Sequence, residues 1–200
     1  MTKKYKGEFG YIGYRKRVAI IRTIICLAIA VGFFVAGLLI FGSQKNYLSI
    51  IAALLCLPTG LSAVNMIMFL KAVGCSDEDH TVIEQHRGSL LIHYDHVITT
   101  YDRNFNVAAS TVLDKNICCY MADQKGDPGD VEKHIKKMMA QGGYSSYSIK
   151  VFDKLDKFCD RLDQLENLRS DRNIDPAAIE DAWVPGTQET PASILLSISL

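Results

Sequence analysis

The chain has 200 residues, 48% of them hydrophobic, and its 22 basic side chains are balanced by 22 acidic ones. That balance conceals a split: residues 1–22 carry seven Lys or Arg against one Glu, whereas residues 71–200 carry 14 basic and 21 acidic side chains, a net −7. An acidic domain gains nothing from counterion release, so no nucleic-acid partner is expected; six cysteines without paired spacing exclude a disulfide scaffold and fit a reducing compartment.

Residues 1–22 read as a basic cytosolic arm containing Lys3, Lys4, Lys6, Arg15, Lys16, Arg17 and Arg22, with Tyr5, Phe9, Tyr11 and Tyr14 suited to a membrane interface. Residues 23–41 hold no charge, and 19 helical residues extend roughly 28 Å, the thickness of a hydrocarbon core. Residues 42–46, Gly-Ser-Gln-Lys-Asn, cannot recross a bilayer and form a short non-cytosolic loop. Residues 47–70 are a second uncharged run, so the two spans make an antiparallel transmembrane hairpin in the lipid bilayer. The apolar run is too long for a signal peptide, and Phe-Gly-Ser-Gln-Lys is a poor cleavage site. The basic excess before the first span places both termini in the cytoplasm of a multi-pass cell-membrane protein.

Lipid gives no hydrophobic drive between helices, so small residues mark candidate contacts. Ala28, Gly32 and Ala36 on the first span are expected to face Ser49, Ala53, Cys56, Gly60 and Ala63 on the second. Pro58 should kink the second span, and Asn65 is expected to hydrogen-bond the first. No Asp, Glu, Lys or Arg lies deep in either span, which argues against a proton or ion pathway in a single copy.

Residues 71–170 read as a cytosolic α/β (α+β) domain with a small mixed sheet covered by helices. Residues 77–94 suit a helix capped by Asp77 and Asp79, although Gly88 interrupts it and residues 90–94 also suit a strand. Residues 97–101 are β-branched and aromatic, and residues 109–113 and 117–121 flank a turn at Asp114-Lys-Asn116, giving a hairpin. Asp127-Pro-Gly-Asp130 starts a helix whose buried stripe is Val131, Ile135, Met138 and Met139, with a Glu132–Lys136 pair outside and Gly142-Gly143 as its stop. Residues 147–152 alternate as a strand, and Asp153 is placed to cap a last helix striped by Leu155, Phe158, Cys159, Leu162, Leu165 and Leu168. Strand, helix, strand, helix in succession implies two parallel strands. Residues 171–200 form an acidic tail with a short helix after Asp175 and an apolar end, residues 193–200, that docks on the domain or binds a partner.

Candidate chemistry is sparse. Ligands of open α/β sheets gather at the carboxyl ends of parallel strands, and two such ends run into Asp123 and Asp153. If these strands are adjacent, the two carboxylates are candidates to hold Mg²⁺, with Asp127 and Asp130 near them. More simply, Asp127 and Asp153 are helix caps and Asp123 is a loop residue. The five histidines lack zinc-ligand spacing and read as surface residues, and Cys118-Cys119, on a strand, point to opposite faces, one core and one partly exposed. The preferred reading is a non-enzymatic membrane-anchored module that binds a protein partner or assembles as a homo-oligomer, without catalytic residues or a cofactor. The alternative is a membrane-tethered, Mg²⁺-dependent hydrolase or nuclease-like domain. Restriction-type nuclease folds combine a hairpin with a following helix and strand, but the Glu-x-Lys expected on the second hairpin strand is replaced by Ile-Cys-Cys-Tyr120.

Overall fold

A computed structural model describes residues 3–100, 104–122 and 126–200. It contains a helical hairpin followed by an α+β domain built on a small mixed sheet. The chain divides into two units, residues 12–72 and residues 1–11 with 73–200.

The hairpin consists of α1 (Tyr11–Phe41) and α2 (Tyr47–Lys71), both long and apolar enough to cross a membrane. Helix α1 starts ahead of the charge-free run, directly after Gly10 at φ +80°, because the intervening Arg, Lys, Ile and Val residues continue the helix readily. Asn46 caps α2, its side chain accepting from Ser49 N–H at 2.8 Å. Helix α2 runs through Pro58, and the Thr59 hydroxyl donates to Leu55 O at 2.8 Å one turn below.

The small-residue stripes do not face each other as expected. Ala28, Gly32, Ala53, Cys56 and Gly60 are exposed and Ala36, Ser49 and Ala63 half-buried, whereas the buried positions are Tyr11, Ile12, Ala19, Thr23, Ala30 and Gly37 on α1 and Ala52, Ser62 and Phe69 on α2. On α1 the reason is geometric: a seam between two helices alternates steps of three and four, whereas a strict four-residue stripe rotates away from it; on α2 the expected stripe has that rhythm but is displaced by one residue from the buried positions. Thr23 Oγ1 and Ser62 Oγ lie 2.9 Å apart, Arg22 Nε donates to Ser62 Oγ at 3.1 Å, and the Arg15 guanidinium lies 5.2 Å from the Phe69 ring centre. Asn65 makes no bond across the seam. It is exposed, and its amide donates to Leu61 O of its own helix at 3.2 Å.

The α+β domain opens with α3 (Asp77–His86), capped by Ser76, whose side chain accepts from Asp79 N–H. Helix α3 stops well short of residue 94. Gly88 takes φ +54°, which a glycine adopts without strain, and the chain turns into β1 (Ile92–Thr99). Strands β2 (Asn104–Leu113) and β3 (Asn116–Tyr120) form the expected hairpin about Asp114 and Lys115, with Asp114 at φ +52°. Helix α4 (Pro128–Gln141) starts at the Asp127 cap, and β4 (Ser148–Phe152) returns parallel to β3. The sheet order is β1-β2-β3-β4. Helix α5 (Leu155–Arg172), the short α6 (Ala178–Asp181) and α7 (Pro191–Ser197) complete the domain.

Helices cover both faces of the sheet. On one, α3 and α5 bury Ile83, Phe158, Leu162 and Leu165 against Tyr94, Ala109 and Leu113. On the other, α4 and α7 bury Val131, Ile135, Met139, Ile194 and Leu195 against Phe105, Val107 and Ile117. Each Val, Leu, Ile, Phe or Met among them, fully withdrawn from water, contributes about 1.5–3 kcal/mol. The apolar chain end therefore docks on its own domain: α7 packs on this face, and Ser199 bridges to Ile98.

Strand β1 departs from simple alternation. Tyr94 packs under α3 and Ile98 under α4, although residues four apart on a strand normally share a face. The phase reverses at Asp95, which sits at φ +59° and is buried. Its carboxylate accepts Cys75 N–H at 2.8 Å, and Gly74 lies so close that a Cβ there would be 2.6 Å from Asp95 Oδ1. Ala109 and Phe105 of β2 divide between the two cores in the same way.

Candidate functional site

Of the two carboxylates expected to share a metal, Asp153 is exposed just after β4, and Asp123 lies outside the described residues. Asp153 does not cap α5. Lys154 holds the N-cap position, without a side-chain hydrogen bond. Asp127 is occupied as the α4 cap, accepting Gly129 N–H at 3.0 Å. Asp130 pairs with Lys133 at 3.9 Å, and no Glu132–Lys136 pair forms. Among the described residues, no three His, Cys, Asp or Glu side chains converge as metal ligands.

The cysteines are all free. Cys118 and Cys119 do point to opposite faces, but both are buried because helices cover both faces. Burial pushes both thiols up, away from the thiolate a nucleophile needs. Cys75, beside Asp79, Asp95 and Asp77, is pushed up to about 12, first by burial and then by these carboxylates.

The histidines are not all surface residues. His96 is 2% exposed, with Nε2 3.0 Å from the Ser110 hydroxyl and its ring 6.4 Å from that of His93. Burial holds His96 neutral, its pKa lowered to about 3, and lowers His93 as well. His93 borders a cavity of about 170 Å³ with Leu91, Ile179, Glu180 and Ala192. Glu180 is engaged there by the Thr190 hydroxyl at 2.6 Å.

A polar network joins α3, β1 and β3. The Tyr94 hydroxyl donates to Glu84 Oε1 at 2.7 Å, Arg87 donates to both Glu84 oxygens at 3.2 and 3.1 Å, and the Tyr120 hydroxyl donates to Asp79 Oδ2 at 3.1 Å. Phe9 joins from the other end of the chain, stacked on His80 with ring centres 3.8 Å apart and edge-on to Tyr94 at 6.0 Å. Burial alone would raise Glu84, but the hydrogen bonds from Tyr94 and Arg87 hold it below the usual carboxylate range. Tyr94 and Tyr120 are raised by burial and then by their carboxylate partners. These shifts move each group away from proton transfer near neutrality, so the network holds structure instead of shuttling protons.

What the network holds includes residues 3–11. Tyr94 N–H donates to Gly7 O at 2.8 Å, and Lys6 Nζ donates to Ser199 O at 2.6 Å. Phe9 therefore serves the domain core instead of a membrane interface. No local pattern could have disclosed this, since its partners lie some 70 to 85 residues away.

The two sheet edges differ. The β1 edge is covered by Gly7 near one end and by residues 198–200 near the other, where Leu200 N–H donates to Val97 O at 2.9 Å and Thr99 N–H to Ile198 O at 3.3 Å. Strand β4 ends the sheet on the other side, with Ser148 and Lys150 exposed. No family model, no curated relative and no solved structure matches this chain. The site is therefore read from its own residues.

Proposed function

We propose that this chain is a two-pass membrane protein whose hairpin anchors an α+β binding module at the cytoplasmic face of the cell membrane, where the module engages another protein. One observation carries the anchor. Residues before α1 and residues after α2 belong to one folded unit, so the chain leaves that unit through α1 and returns to it through α2. A hairpin with both ends fixed on one unit has both ends on one side of a bilayer. The hairpin's surface supports the same reading: Leu39, Leu57 and Leu61 are 81%, 69% and 71% exposed, an arrangement that lipid favours and water does not. The seven basic residues ahead of the charge-free part of α1, four of them in its first turns, and Lys71 in the last turn of α2 favour the cytoplasmic side. A protein-binding role fits a domain whose buried polar network is engaged within itself and whose sheet ends on β4 with no further strand paired to it among the described residues.

Alkaline extraction and epitope accessibility test the anchor. The chain should stay with the membrane pellet. An epitope inserted after Ser43 should be reached by antibody on intact cells, and one fused after Leu200 only after permeabilisation. Release by alkaline wash, or a carboxy-terminal epitope accessible on intact cells, overturns this reading.

A further inference from the structure

We propose that β4 is a strand-addition site: its open edge pairs with an extended acidic segment of a partner protein. The inference rests on the protein-binding reading above and names the surface and the chemistry of the partner. Its basis is the ladder register. Ser148 N–H donates to Lys115 O at 2.8 Å, and Met121 N–H donates to Phe152 O at 2.9 Å. Ser148, Lys150 and Phe152 thus direct their backbone groups at β3, paired with Asn116, Cys118 and Tyr120. In a parallel ladder the intervening residues face the other way, so Ile149, whose side chain is buried in the core, and the half-buried Val151 direct N–H and C=O away from β3. Among the described residues, no hydrogen bond reaches those groups. A strand laid along this edge would satisfy them by main-chain pairing, as in known strand-addition recognition.

The charge around the edge selects the occupant. Lys150 is exposed on the face that carries α5, beside Cys118, and Arg161 of α5 reaches that same part of β3, donating to Asn116 Oδ1 at 3.2 Å. Lys154, Lys157 and Arg161 recur at helical spacing on one flank of α5. The acids of α5 lie on its other flank: Asp156, Asp160 and Asp163 surround Cys159, and Asp163 meets His86 of α3 at 3.0 Å. Although the exposed Asp153 follows the strand end, Lys150, Lys154, Lys157 and Arg161 give the α5 side of the edge a net basic border that matches acidic side chains on an added strand. The same charge disfavours a second copy, because antiparallel pairing of two β4 strands centred on Lys150 would set like charges face to face.

The test uses the full chain in detergent micelles and two fluorescent eight-residue peptides, one alternating Val with Glu and one alternating Val with Lys. The Glu peptide should bind and slow amide exchange across residues 148–152. Val151→Pro removes one outward N–H without touching the ladder to β3, and it should weaken binding at least tenfold while leaving the circular dichroism unchanged. Lys150→Glu, which is compatible with the fold at an exposed position, should weaken the Glu peptide and favour the Lys peptide. Equal binding of both peptides by the parent chain overturns the proposal. Glu-peptide binding that survives Val151→Pro also overturns it, while leaving the protein-binding reading intact at another surface. Slow exchange at residues 148–152 that grows with protein concentration alone assigns the edge to a second copy and overturns the acidic partner.

Discussion

The hairpin and the α+β domain use the same apolar side chains in opposite ways. In the domain, Ile83, Phe158 and Leu162 have no exposed surface, whereas Leu39 and Leu57 of the hairpin are 81% and 69% exposed. The domain is held by its interior. The hairpin's own interior is a thin seam, mostly of Ala, Gly, Ser and Thr with Phe69, and it leaves an open groove of about 300 Å³ lined by Phe34 and Cys56, so on the proposed membrane reading its stability comes from surrounding lipid. Burial thus means different things on the two sides of residue 72, and substitutions can expose the difference.

The largest effect should come from emptying the domain core. Phe158→Ala or Leu162→Ala should cost about 2–5 kcal/mol, by lost transfer energy plus an unfilled cavity. Leu57→Ala, the same kind of truncation on the outer face of α2, should leave the unfolding midpoint of the domain unchanged. Denaturant titration in detergent, followed by amide exchange of the domain, measures both. A domain indifferent to Phe158→Ala would break the contrast.

The next test lies within the hairpin. A Cβ at Gly37 would stand 2.7 Å from Asn46 Oδ1 and 3.0 Å from Leu48 Cβ, whereas nothing lies within 4 Å of one at Gly32. Gly37→Val should therefore overpack the seam, at about 1–3 kcal/mol, and Gly32→Val should not. Thermal denaturation of the two variants in one detergent compares them directly. Equal loss at both positions would mean that the outer face of α1 is also a packed interface.

Acid sharpens the comparison on the domain side. His96 has an ordinary value of 6.5, lowered to about 3 in the folded chain by burial. Between those values the unfolded chain binds a proton that the folded chain refuses, so stability rises with pH across that window and falls as pH drops below about 6.5. His93 is shifted in the same direction, beside Gly7 and Leu196. Domain stability should decline steadily from pH 6.5 to pH 4, and His96→Leu should flatten part of that slope. The hairpin seam has no such group and should not follow it. An unchanged slope in His96→Leu would remove this histidine as the cause.

The elements most legible in the sequence were those set by neighbours in the chain. A charge-free run announces α1 and α2. Asp127 before Pro128 fixes the start of α4, and the turn expected at Asp114-Lys-Asn116 marks the β2–β3 hairpin, although Asn116 already pairs with Leu113 and the turn is Asp114 and Lys115 alone. The parallel pairing of β3 with β4 followed from the helix between them. Features set at long range were not legible. Which face of α1 meets α2 depends on the seam's three-and-four rhythm, and the expected stripe missed it. The reversal at Asp95 occurs at a residue that is neither Gly nor Asn, stabilised by an N–H donated from Cys75 twenty residues earlier. His96 reads as polar, yet the phase set by Asp95 turns it into the core. Of the candidate site, Asp153 was found where expected at the end of β4, but exposed and not capping α5. The open β4 edge could be read only once the strand order was known.

The smallest expected effect concerns the link between the two ends of the domain. Tyr94 packs against Phe9 and His80 through its ring and bonds Glu84 through its hydroxyl. Tyr94→Phe keeps the ring and removes only the hydrogen bond, so it should cost about 1–2 kcal/mol. The sign of its pH dependence separates it from His96. Glu84 is held below its ordinary 4.5, so its contribution is complete above that value and is lost as pH falls through it. Tyr94→Phe should thus reduce stability at pH 7 and make the domain less sensitive to pH below 4.5, without altering the decline that begins at 6.5. Chemical denaturation at pH 7, 5.5 and 4 resolves the two windows. If Tyr94→Phe instead frees residues 3–10 to exchange at the rate of an open segment, the hydroxyl and not the stacked ring is what keeps the start of the chain on the domain, and the same-side argument for the hairpin depends on that single bond.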